Sequence, residues 1–158
     1  MTFLDEAAAA LLAAGRSLEV DPALSTIDVS SAAFGEVLAV VRPIARSVTF
    51  YVVHPVAVPA ERVPAMSELV VRATADLLDA TLELDLATGA VAARATVSLG
   101  GLELADDELG ELFDAALDTV ETAAARYAGA IGHVLDGGDP RTAAAAVRRA
   151  PVEDLSAD

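Results

Sequence analysis

Hydrophobic and polar residues alternate along several short stretches of the chain, and this two-residue period predicts β-strands. The clearest case is residues 47–53, which end at His54-Pro55. One face of this strand would carry Val48, Phe50 and Val52, and the other Thr49, Tyr51 and Val53. Because Tyr51 and Val53 leave the second face only partly polar, that face is a candidate surface for a partner.

Other stretches follow the same alternation. Glu36 to Val41 predicts a strand, and Leu82 to Leu86 with Val91 to Leu99 predicts a β-hairpin. Gly89 lies at the turn of this hairpin, where we expect a positive φ. The segment that follows the first helix and includes Asp21-Pro22 predicts mainly loop, with short extended pieces.

A 3.6-residue period predicts helices over Phe3 to Ala14, Ala60 to Leu78 and Asp106 to Leu135. The first would bury Leu4, Leu11 and Leu12 on one side and end at Gly15. The second would bury Met66, Leu69, Val70, Ala73 and Leu77, with Pro64 in its first turn. The third is long enough to cross a whole sheet, and Asp106, Asp107 and Glu108 favour its start.

These elements predict an α+β domain with an antiparallel sheet of about four or five strands packed by helices. Residues 1–138 would form this single domain. Asp139-Pro140 predicts the start of a short Ala-rich helix through Arg149, and we expect the acidic tail, Val152 to Asp158, to be disordered.

Charge changes the range of partners that we expect. The formal net charge is −15, and all ten basic residues are arginine. A phosphate-binding surface would work against this field, so nucleic acid and anionic membrane are poor partners, and a basic or amphipathic polypeptide is a better one. The charge would also keep an Ala-rich domain soluble. The start of the chain has no basic segment, and no apolar run reaches a membrane-spanning length, so we expect a cytoplasmic protein.

Residues that carry chemistry are few. The chain has no cysteine, which excludes disulfides, thiolate metal sites and thiol catalysis. His54 precedes a proline at a strand end, and His133 lies near the end of the long helix, so structural roles are favoured for both. Arg148-Arg149 is expected to neutralise the protein's own carboxylates. We therefore expect no catalytic residue, metal site or cofactor, and no enzymatic activity.

The hairpin and the helix that follows it carry a family resemblance. Leu84 to Val91 reads LDLATGAV, and a small-residue strand, Gly100-Gly101, Leu102-Glu103-Leu104 and the long helix ending in Tyr127 to Gly138 follow it. In order and spacing this pattern is similar to the bacterial YbjN family, over roughly Ser47 to Gly138. Ala73-Thr74-Ala75 departs from that family, which often has asparagine there. The resemblance implies the fold of the type III secretion chaperones, and binding of a protein or peptide rather than turnover.

The function expected from this resemblance is that of a non-enzymatic, chaperone-like or regulatory module that binds an extended or amphipathic segment of another protein. The candidate partner-binding residues are Phe50, Tyr51, Val53 and Met66. The alternative is a self-associating regulatory or scaffold domain that binds no unfolded client. A homodimer is also expected.

Overall fold

The computed structural model describes residues 1–149. The helices are α1 (Phe3–Ala13), α2 (Val63–Asp76), α3 (Asp106–Leu135) and α4 (Pro140–Arg149), and a short 3-10 helix, Ala60–Arg62, precedes α2. The strands are β1 (Leu18–Asp21), β2 (Thr26–Ser31), β3 (Gly35–Arg42), β4 (Ser47–Val53), β5 (Thr81–Leu84) and β6 (Val91–Ser98). The α+β class is confirmed. The described sheet has six strands, slightly more than expected.

The strands pair in the order β1-β2-β3-β4-β6-β5, and every neighbouring pair is antiparallel. The first four form a meander in chain order. The chain then leaves the sheet through α2 and returns as the β5–β6 hairpin, which joins the meander through β6. The additional strands, β1 and β2, lie in the segment that the sequence pattern predicted to be mainly loop.

The helices pack on one face of the sheet. The register aligns Ala39, Phe50 and Ala95 across β3, β4 and β6, and all three are buried. The ring of Phe50 meets the ring of Phe113 from α3 edge to face, with centroids 5.7 Å apart. Helices α1 and α2 also contact α3, and the buried apolar residues form a core between helices and sheet.

Two of the candidate partner residues belong to this core. Phe50 and Met66 both have 0% of their surface exposed. A partner cannot reach either side chain in the folded protein, so their expected place at a binding surface is wrong. The physical reason is that each carries a large apolar side chain on the side of its strand or helix that packs against α3 or the sheet.

Helix α1 agrees with the predicted bounds but not with one predicted core position. Thr2 caps its start through a hydrogen bond to the N–H of Asp5, and Gly15 follows its end with a φ of +82°. Leu4 and Leu11 are buried, whereas Leu12 is 57% exposed. Leu12 lies one residue, or about 100°, past the buried stripe, so its side chain turns towards solvent.

Helix α4 belongs to the same core as the rest of the fold. The carboxylate of Asp139 accepts a hydrogen bond from the Thr142 N–H at 2.8 Å, which caps the helix as predicted. Ala143, Ala144 and Val147 are buried where α4 contacts α2 and α3. The tail predicted to be disordered, 152–158, lies outside the described residues. No helix in residues 1–149 is both long and apolar enough to cross a membrane.

Candidate binding site

The sheet face that points away from the helices remains accessible. We call it the open face and define it by the accessible side chains of Leu38, Val40, Tyr51, Val53, Arg94 and Thr96. Leu38 lies directly opposite Tyr51 in the β3–β4 register, and both are partly exposed. Val53, at the end of β4, is 51% exposed. Tyr51 and Val53 therefore lie on the second face of their strand, where the alternation placed them.

The open face has an apolar centre and a polar border. Its apolar side chains come from the two central strands, β3 and β4. On the β5–β6 side, the guanidinium of Arg94 pairs with the carboxylate of Glu83 at 3.1 Å. The hydroxyls of Thr49 and Thr96 share a cross-strand hydrogen bond of 2.9 Å. An apolar centre with a satisfied polar rim is the anatomy of many protein interfaces.

An apolar cavity of about 230 Å³ lies at the end of the sheet. We call it the end pocket, and its principal lining residues are Phe34, Val52, Leu82, Ala124, Ala128 and Ile131. Four structural parts meet there: the turn between β2 and β3, the end of β4, the β5–β6 hairpin and the middle of α3. Val53 also lines this cavity, so the end pocket adjoins the open face.

Hydrogen bonds hold one wall of the end pocket in place. The hydroxyl of Ser31 donates to the carboxylate of Glu121 on α3 at 2.5 Å. The same hydroxyl oxygen accepts from the backbone N–H of Phe34 at 3.1 Å. This pair of bonds ties the β2–β3 turn, and therefore Phe34, to the long helix.

His54 lies at the border of the end pocket. Its Nδ1 accepts a hydrogen bond from the Val56 N–H at 3.2 Å, which fits the predicted role beside a turn. The residues that line the cavity include no carboxylate. A catalytic site at this position would need an acid, base or nucleophile beside the imidazole, and the lining supplies none.

A polar cluster joins three helices away from the end pocket. The buried Tyr127 donates its hydroxyl proton to Asp76 at 2.6 Å, and Arg126 pairs with the same carboxylate at 3.2 Å. Arg148 of α4 approaches Asp76 at 3.9 Å, in agreement with its predicted role. The hydrogen bond from Tyr127 is the main reason that the pKa of Asp76 is lowered. Burial, and then the bond to Asp76, raise the pKa of Tyr127.

Two further candidates from the sequence, the acidic start of α3 and His133, lie at the two ends of the long helix. The Glu108 carboxylate accepts from the Ala105 N–H at 3.0 Å, so the acidic start of α3 caps the helix. His133 is exposed in the last turn of α3, and its carbonyl accepts from the Gly138 N–H at 2.8 Å. Within the described part of the chain, no group of three or more His, Asp or Glu residues is arranged to hold a metal ion.

Sequence reasoning identified two residues of the open face and missed the end pocket. Ala124 and Ile131 lie within the predicted long helix, and Phe34 lies in a segment with no predicted strand. The only local signal was the run of small residues on α3, which by itself is typical of a closely packed helix.

Comparisons with known proteins give no relative for this chain. No protein-family model matches it. Neither the curated proteins nor the solved structures contain a significant match.

Proposed function

We propose that the protein is a non-enzymatic, chaperone-like module that binds a segment of another polypeptide on its open face. One observation carries this proposal. Leu38, Tyr51 and Val53 form an accessible apolar strip on a sheet whose opposite face is already filled by helices. Exposed apolar side chains grouped on one surface, with polar groups around them, are typical of a protein-binding site. The resemblance to the YbjN family points to the same class of function.

Binding across the open face fits the sheet better than the addition of a strand at an edge. The two edge strands, β1 and β5, have only four residues each. The β1 edge also carries Glu19 and Asp21, and short charged edges discourage pairing with another strand. The central strands offer a longer apolar surface.

The charge of the chain indicates the chemistry of the partner. With a formal net charge of −15, the protein attracts cationic segments and repels anionic ones. Arg94 of the open face is already paired with Glu83, and Arg42, at the end of β3, donates to the hydroxyl of Ser47. We infer that the partner segment is basic and amphipathic, and that nucleic acid is not a partner.

A charged substitution on the open face tests this proposal. Val53→Asp should lower the affinity for a labelled peptide of alternating leucine and lysine by about tenfold or more, because the new charge loses its water in the complex. Val20→Asp is the matched control, since Val20 is also a strand valine, is 41% exposed and lies on the helix side of the sheet. Fluorescence anisotropy measures the affinity, and circular dichroism confirms that both variants fold.

The peptide needs its own control because any cationic chain is attracted to an acidic protein. A peptide of alternating serine and lysine, with the same charge, should bind much more weakly than the leucine peptide. Equal affinity for the two peptides, or equal effects of the two substitutions, would contradict the proposal.

Self-association is the competing use of the same face. A stable dimer buries about 800 Å² on each copy, and the net charge of −15 opposes the approach of two copies. Light scattering distinguishes the two functions. A dimer that Val53→Asp converts to a monomer, together with no peptide binding, would replace the proposed function by the self-associating domain.

A further inference from the structure

The size of the end pocket restricts what it can hold. Its volume of about 230 Å³ exceeds the cavities of about 150 Å³ that accept benzene, and it lies below the range of about 300–1,000 Å³ typical of sites for drug-sized ligands. The cavity therefore suits one large apolar group, such as the side chain of leucine or phenylalanine.

The lining favours an uncharged group. The apolar walls of the pocket come from Phe34, Val52, Leu82 and Ile131. The small side chains of Ala124 and Ala128 on α3 leave the space between these walls unfilled. His54 is the one titratable residue of the lining, and its Nδ1 already accepts from Val56. The lining contains no lysine or arginine to pair with a carboxylate, so it disfavours a fatty acid or another anionic ligand.

The surroundings favour a cation next to that apolar group. Glu121 lies one turn before Ala124 on the same side of α3, and it is only partly buried. Among residues 1–149 its carboxylate accepts one hydrogen bond, from Ser31, which leaves oxygen lone pairs for another donor. A lysine or arginine beside an inserted leucine or phenylalanine would therefore meet a negative charge.

We propose that the end pocket is the anchor site for one leucine or phenylalanine side chain of a basic polypeptide. This inference rests on the proposed function and specifies which side chain of the partner the protein recognises. Val53 contributes to both the open face and the pocket, so a segment that crosses the face can place one side chain in the cavity. The bond that Ser31 donates to Glu121 and the one that it accepts from the Phe34 N–H hold the wall in place before the ligand arrives, which lowers the entropic cost of binding.

The cavity can be tested separately from any peptide. Addition of toluene should change the amide chemical shifts of residues 52–54 and 91–93 in NMR spectra, because these residues line the pocket. Ala128→Leu places a larger side chain at the mouth and should abolish these shifts. Ala125→Leu is the matched control, because Ala125 is exposed on the same helix and does not line the pocket. Shifts that are absent, or that persist in Ala128→Leu, would overturn the pocket as a binding site.

The leucine–lysine peptide then tests the occupant. Its affinity should fall about tenfold for Ala128→Leu and stay unchanged for Ala125→Leu. If Ala128→Leu binds the peptide normally while Val53→Asp does not, the proposed function stands and the anchor site is overturned. If toluene enters the pocket but wild-type protein binds no peptide, both the proposed function and the polypeptide occupant are overturned.

Discussion

At the scale of single residues, Gly89 shows how one position can be constrained twice. Its φ is +76°, as the sequence predicted for the hairpin turn. Its carbonyl accepts from the Val58 N–H at 2.8 Å, and a Cβ at this position would lie 2.5 Å from the Val58 carbonyl oxygen. Both the backbone conformation and the close neighbour therefore require glycine.

Replacement of Gly89 by alanine should lower the free energy of unfolding by about 2 kcal/mol or more. About 1 kcal/mol comes from the left-handed conformation, and the rest from contact with Val58. Gly35→Ala is the matched control, since Gly35 has a φ of +79° and nothing within 4 Å of its Cβ position. Urea unfolding measures both, and equal losses would show that the contact with Val58 has no energetic effect.

At the scale of elements, the approach of α1 to α3 depends on Gly110. A Cβ at Gly110 would lie 2.7 Å from the carbonyl oxygen of Ala10. Arg16, just past the end of α1, pairs with Asp114 of α3 at 2.5 Å and fixes the same contact. Closely packed helices need a small residue at their crossing, and here the backbones themselves approach.

Gly110→Ala should therefore destabilise the protein by about 1–3 kcal/mol, although alanine is the better helix former by about 1 kcal/mol. Gly129→Ala, in the same helix, has open space at its Cβ position and should stabilise the protein by about 0.5–1 kcal/mol. Opposite signs in urea unfolding are the expected result. Stabilisation by both substitutions would mean that α1 moves away from α3 without cost.

At the scale of the whole molecule, the cluster around Asp76 links α2, α3 and α4, and it makes stability depend on pH. The lowered pKa of Asp76 stabilises the fold above the unfolded value of 3.8, and this contribution is lost as the pH falls through the folded pKa. The raised pKa of Tyr127 gives a contribution to stability with the opposite dependence on pH. Its contribution is complete below the unfolded value of 10.0 and is lost as the pH rises above it.

The melting temperature should therefore be nearly constant between about pH 5 and pH 9 and should fall on both sides. Tyr127→Phe removes a hydrogen bond to a charged group and should cost about 2 kcal/mol at pH 7. It should also weaken the alkaline decline, and Tyr51→Phe, which removes a tyrosine hydroxyl outside the Asp76 cluster, is the matched control. Calorimetry below about pH 5 and above about pH 9 checks both limbs, and an unaltered alkaline limb in Tyr127→Phe would show that another group causes it.

The sequence by itself determined the elements with strong local periods. The bounds of β4 and α3 agree with the predicted ranges, because alternation or helical spacing continues without interruption over each of them. It also identified the turn at Gly89 and the faces of β4. Such features depend on residues close together in the chain, whose side-chain directions follow from backbone geometry alone.

Tertiary structure decided which faces are covered and which remain accessible. Strands β1 and β2 have only four and six residues, too few for their alternation of apolar and polar residues to stand out in the sequence, and they gain their hydrogen bonds by pairing with one another and with β3. Phe50 is buried because Phe113, far along the chain, packs against it. The end pocket exists because residues from four separate segments meet at one end of the sheet. No local sequence pattern predicts which distant segments come together.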